Sequence, residues 1–168
     1  MLAEERRRLE LARLASELLA DASVLESVAR GCAQAQPKLR QSPDRALLCM
    51  LAVDLHRYFT AVENVLERVE RVVGALPPVG PSWHKDLLVG ASRELADARP
   101  AILSPAVIAD LEALLSFRHF FRHAYAVEFD AVRLDELAVR LARVHGQVVA
   151  DLHRFVAHLQ AVVSGMRS

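Results

Sequence analysis

Leu137, Leu141, Val144, Val148, Leu152, Phe155, Leu159 and Val162 recur at alternating spacings of three and four residues, with one departure between Val148 and Leu152. That rhythm is the apolar stripe of a long amphipathic helix, and it predicts one from about Ala131 to Val163. Gly146 lies inside it and weakens the helix by about 1 kcal/mol without having to break it. Leu11, Leu14, Leu18 and Leu25 carry a similar rhythm within a predicted helix from about Leu2 to Arg30, ending before Gly31. Leu48, Leu51, Leu55, Val62, Leu66, Val69 and Val73 carry it again until GALPPVGP, whose three prolines and two glycines make the clearest break in the chain. Stripes of this kind are stable only when they pack on one another. The chain must fold as helices around a shared core.

The punctuation between stripes fits that reading. A polar stretch, QAQPKLRQSPD, connects the first two helices, with Ser42 placed to cap the second and Pro43 at its first position. Ser82 opens a shorter helix, about Trp83 to Ala98, and Ser104 with Pro105 repeats the cap-plus-proline start for a helix reaching about Val127. There is no convincing strand pattern and no internal repeat. The expected architecture is all-α: an antiparallel, up-and-down bundle of four long helices with residues 83–98 as an accessory. At 168 residues the chain reads as one domain, residues 1–168, able to bury roughly 70% of its extended surface without metals or disulfides.

Composition excludes several function classes. Hydrophobic residues make up 53%, too many for a disordered tail, and 21 basic against 21 acidic residues argue against a broad nucleic-acid-coating surface while leaving room for a local basic groove. Cys32 and Cys49 are too few for a disulfide framework and form no C-x-x-C pair. MLAEERRRLE lacks the apolar centre of a signal peptide, and the longest apolar run, Ala46 to Val53, is far short of a bilayer span. A soluble, cytoplasmic protein with no membrane partner is expected.

The pattern breaks in LSPAVIADLEALLSFRHFFRHAYAVEFD. With Arg118 at zero and 100° per residue, Val107, Leu111, Leu114, Leu115 and Ile108 fall at roughly 340°, 20°, 320°, 60° and 80°. The packing face is therefore centred near about 20°. Further along, that face carries Arg118, Arg122 and Tyr125, flanked by His119 and His123, while Phe117, Phe120 and Phe121 move round the helix. Buried guanidinium groups persist only where they line a wet cleft, pair with carboxylates or face another subunit. Arginine, histidine and tyrosine together are also what a phosphodiester site needs: a cation for the phosphate, a proton carrier near neutral pH, and an orienting polar ring.

Arg118, four residues, His123, one residue, Tyr125 resembles the arginine, x4, histidine, x, tyrosine motif of the HEPN superfamily, particularly of HepT-like toxins. His119 stands where the family's polar residue follows the arginine, and SFRHFFRHAY lies in the penultimate long helix of an all-helical chain. The likeness in architecture covers about residues 40–163, with residues 2–30 an extension or bundle partner. The resemblance implies a homodimer that joins two motifs across a cleft and cuts RNA without metal. Arg118 would then hold the scissile phosphate, His123 would move a proton, and His119 would orient the pair. The product would be a 2′,3′-cyclic phosphate. Arg122 is a second phosphate contact in this reading. Tyr125 matches the tyrosine adenylylated by a cognate minimal nucleotidyltransferase antitoxin.

Other polar residues carry blander readings. His56, with Asp54 and Arg57, and Glu63 with Asn64 rim a cleft at most. His84 beside Trp83 reads as packing that closes the loop over the bundle, and His145, His153 and His158 read as surface or interhelical residues. His119 and His123 share the i,i+4 spacing of metal ligands, but H-E-x-x-H is absent and no histidine follows an acid by three, so neither a metal nor another cofactor is expected. No P-loop or dinucleotide fingerprint occurs. Alanine at Arg118 or His123 is expected to leave helicity intact. The rival to a toxin ribonuclease is a non-catalytic helical dimer that binds a nucleotidyltransferase or nucleic acid.

Adenylylation of Tyr125 would set a phosphate close to Arg118 and Arg122 and repel RNA. Co-expression with a cognate minimal nucleotidyltransferase, followed by peptide mass spectrometry, should place one adenylyl group on Tyr125. Modification confined to another residue counts against the assignment.

Overall fold

A computed structural model describes residues 2–74, 78–123 and 128–166. Five α-helices run in the order α1 (Leu2–Gln41), α2 (Arg45–Val73), α3 (Trp83–Ala91), α4 (Ile108–His123) and α5 (Ala131–Gly165), with a 3-10 turn at Pro105–Val107 leading into α4. The fold is an all-α bundle, and none of the described residues forms a strand. No helix among them is long and apolar enough to cross a membrane.

The first helix extends beyond its expected end. α1 passes through Gly31 and Pro37 to Gln41, because Cys32, Ala35 and Leu39 continue its buried face. Gln36 and Arg40 also bind Asp135 of α5, at 2.9 and 2.7 Å. Tertiary packing thus outweighs the lost proline donor. Gly31 has a positive use, since a Cβ there would lie 3.0 Å from the Asp54 carboxylate on α2. Of the two readings for this helix, extension or bundle partner, the second holds: α1 packs along both α2 and α5. With the connector shortened, Asp44 and not Ser42 caps α2, accepting from the Leu47 amide at 2.9 Å, and Pro43 stays outside the helix.

The leucine and valine stripes identified in α1, α2 and α5 enter the core, apart from half-buried Leu48 and exposed Val162. Val163, four residues beyond Leu159, takes the place expected for Val162. The accessory helix ends at Ala91 instead of Ala98. The chain turns back there: the Ile102 and Leu103 amides both bond to the Ala91 carbonyl, and buried Arg99 pairs with Glu70 of α2. Gly74 makes room for this pair, as a Cβ would strike the Glu70 side chain. The fourth helix begins with the 3-10 turn, and its described part ends at His123; the expected continuation to Val127, including Tyr125, lies outside the described residues.

Ser104 does not cap. Its amide and hydroxyl donate to Asp151 on α5, at 2.6 and 2.8 Å, and Gln147 and Arg154 bond the same carboxylate. Burial alone would raise the Asp151 carboxyl, but these donors outweigh it and hold the group below its ordinary value of 3.8. A lowered folded value means that the stabilisation is complete above the ordinary value and is lost as pH falls through the folded one. Asp151→Asn should therefore cost about 2 kcal/mol at pH 7, and its gap from wild type should shrink in acid. Urea unfolding at several pH values checks this. A gap independent of pH would show that the carboxylate charge is not what anchors Ser104.

Candidate functional site

The polar end of α4 faces α2 and α3, and its geometry follows from the helical period. Arg118 continues the face of Leu111, Leu114 and Leu115, so the fold carries it inward to 7% exposure. His119, Arg122 and His123 remain exposed as the helix ends. Phe117 is buried, and Phe120 and Phe121 are half-buried around it.

Burial demands a counter-charge for Arg118, and Glu63 supplies it. Arg118 Nη2 lies 2.6 Å from Glu63 Oε2, with the carboxylate side chain only 4% exposed. The other oxygen, Oε1, meets Nδ1 of His84 at the start of α3. Trp83 covers His84 with ring centroids 3.6 Å apart, and His119 meets the same imidazole edge-on at 5.0 Å. Three helices thus converge on one carboxylate. Among the described residues, Arg118 Nε and Nη1 are buried without an acceptor.

His56, two turns before Glu63 on α2, stacks on Phe121 at 4.8 Å. Burial first, then Arg118 and Arg122, lowers its pKa from the usual imidazole value. His119 is lowered as well, by desolvation first and then by His84 and Arg118. Both rings are biased toward the neutral form, which can accept a proton. No group of three or more His, Cys, Asp or Glu among the described residues is arranged to hold a metal ion.

The HepT-like protein family model matches residues 50–159, which take in most of α2, all of α3 and α4, and most of α5. The chain belongs to the HepT-like family. Its membership in the HEPN superfamily follows, and the arginine–histidine segment lies inside the matched region. Comparison with curated proteins and with solved structures gives no match.

In this HepT-like chain the structure brings Arg118 and His119 together with Glu63 and His84. Arg122 and His123 are placed on the exposed end of the same helix, and Tyr125 lies outside the described residues. Glu63 and His84 were the residues that sequence reasoning undervalued. One signal was available: His56, Glu63 and Glu70 recur every seven residues along one edge of the α2 stripe. Two of those three are acids that bury an arginine. Asn64, by contrast, is exposed.

The pair also corrects the expectation that Arg118 can be removed without structural effect. Deleting one partner of a buried ion pair leaves an uncompensated charge and costs about 3–5 kcal/mol. Glu63→Ala should therefore lower the melting temperature by on the order of 10 °C, and Arg118→Ala should also destabilise. A Glu63→Leu/Arg118→Met double variant should recover most of the loss. Thermal unfolding followed by circular dichroism measures all three. A Glu63→Ala protein as stable as wild type would deny the pair its structural role.

Proposed function

We propose that this protein is a metal-independent RNA endonuclease, the toxin of a pair whose antitoxin is a minimal nucleotidyltransferase. The observation that carries the reading is the unsatisfied guanidinium of Arg118: two buried donors without acceptors among the described residues, beside imidazoles on α3 and α4. Each unmet buried donor costs about 1–3 kcal/mol. The non-bridging oxygens of a phosphodiester are acceptors that would relieve that cost and compete with Glu63 for the cation. Charge stabilisation by Arg118 would grow as the phosphorane forms. Exposed His123 moves a proton, His119 orients the pair, and Arg122 adds a second phosphate contact. A homodimer joins two such helix ends across one cleft. Attack by the 2′-hydroxyl would yield a 2′,3′-cyclic phosphate, and adenylylation of Tyr125 would silence the site.

One observation favours the rival reading, a non-catalytic dimer that binds a nucleotidyltransferase or nucleic acid. Arg118 is largely enclosed and already neutralised by Glu63, as a purely architectural arginine would be.

Cleavage of labelled RNA in EDTA separates the two. The wild-type protein should be a dimer by light scattering and should cut RNA but not the same strand carrying a 2′-deoxy residue at the cut. His123→Ala should lower turnover by about 10²–10⁴-fold with RNA binding little changed. Arg118→Lys, which keeps the charge for Glu63 but loses the planar fork, should impair both turnover and binding. A dimer that binds its partner yet cuts no RNA would leave the binding reading standing.

A further inference from the structure

Cleavage by internal attack needs two proton transfers, one from the 2′-hydroxyl and one to the departing 5′-oxygen. The arginine–histidine segment offers His123 for one of them. We infer that His84, held by Glu63, supplies the other as the general base, an inference that rests on the ribonuclease reading above.

The geometry is that of an oriented imidazole. Nδ1 of His84 meets Glu63 Oε1, and a carboxylate at Nδ1 fixes the tautomer in which that nitrogen carries the proton. The lone pair is then left on Nε2. Glu63 is held in turn by Arg118 on its other oxygen. Trp83 lies tilted against one side of the ring, and His119 meets it edge-on from another.

The charged surroundings are few. Glu63 faces His84 from α2, and Arg118 and His119 face it from α4. The neighbouring Lys85 and Asp86 on α3 are exposed and engaged elsewhere, with Glu112 at 3.6 Å and Ser82 at 2.7 Å. His84 lies against His119, and His123 follows His119 by one turn, about 6 Å along α4. A phosphate drawn to Arg118 would therefore have two imidazoles, His84 and His123, flanking His119 on one side of that arginine.

The step balances with no further reactant. His84 Nε2 takes the 2′-hydroxyl proton, and the 2′-oxygen forms its bond to phosphorus. The P–O5′ bond breaks with its electron pair passing to the 5′-oxygen, which takes a proton from the His123 imidazolium. A 2′,3′-cyclic phosphate and a 5′-hydroxyl result.

The test uses the full chain, His84→Gln and His123→Ala, with ordinary RNA and with RNA whose scissile linkage carries a 5′-bridging sulfur. Thiolate leaves without protonation, so sulfur should rescue His123→Ala and leave His84→Gln slow. Glutamine can still donate to Glu63. His84→Gln should therefore keep KM within about twofold, lower kcat by about 10²–10³-fold and abolish the acidic limb of the kcat pH profile. Should glutamine fail to fold, His84→Asn serves, and added imidazole should restore its cleavage. A His84→Gln enzyme with wild-type kcat and acidic limb would overturn the assignment while the ribonuclease reading stood. Sulfur rescue of His84→Gln would overturn the base role in the same way. Wild-type protein that cuts no RNA would overturn the ribonuclease reading and this inference with it.

Discussion

Burying the guanidinium of Arg118 constrains everything around it. A cation at 7% exposure cannot persist without a partner in a medium of low polarity. The partner must come from another helix, because the face of α4 that carries Arg118 otherwise presents leucines. Glu63 meets that demand from α2, and its second oxygen then requires a donor of its own. His84 provides one from the start of α3. The relative placement of α2, α3 and α4 is thus tied to the valence of a single carboxylate.

All five helices share one apolar core, to which α3 and α4 add Leu87, Leu88, Leu111, Leu114 and Phe117. Polar contacts supplement it between α1 and its neighbours, through Arg40 on Asp135 and Arg68 on Asp21. The α3–α4 layer has polar anchors of its own. Glu63 holds Arg118, Glu70 holds Arg99, Asp151 holds the Ser104 turn, and Asp110 on α4 is bound by Arg140 and Arg143 of α5. Directional contacts fix α4 in rotation as well as in position. That matters for a helix whose exposed end presents His119, Arg122 and His123, with phenylalanines on the opposite flank.

The sequence makes the apolar stripes plain, because a stripe is a local property of spacing. It hides what depends on a distant partner. α1 runs through Gly31 and Pro37 because Asp135 and the α5 face receive its last turns, and nothing local to QAQPKLRQSPD records that. The accessory helix stops at Ala91 because Arg99 folds back onto Glu70, a pairing across the loop. The arginine and histidines of α4 stand out as a break in pattern. Whether that break opens to solvent or turns inward depends on Glu63, which looks from the sequence like one more surface acid. The seven-residue recurrence of His56, Glu63 and Glu70 at the stripe edge was the only local trace of it.

A chain with 21 basic and 21 acidic residues need not be uniformly neutral over its surface. Many of its arginines are spent on the fold: Arg68 on Asp21, Arg40 on Asp135, Arg99 on Glu70, and Arg140 and Arg143 on Asp110. Paired one to one, Arg68, Arg40 and Arg99 contribute little at a distance, whereas Asp110 offsets only one of its two arginines. Arg118 is intermediate, neutralised on one nitrogen and, among the described residues, buried without an acceptor on the other two. Arg122 stands exposed one turn further on. Net charge therefore says little about where an anion would settle. Under the proposed function a phosphate would settle at the end of α4, where a partly satisfied cation adjoins an exposed one and imidazoles biased toward neutrality.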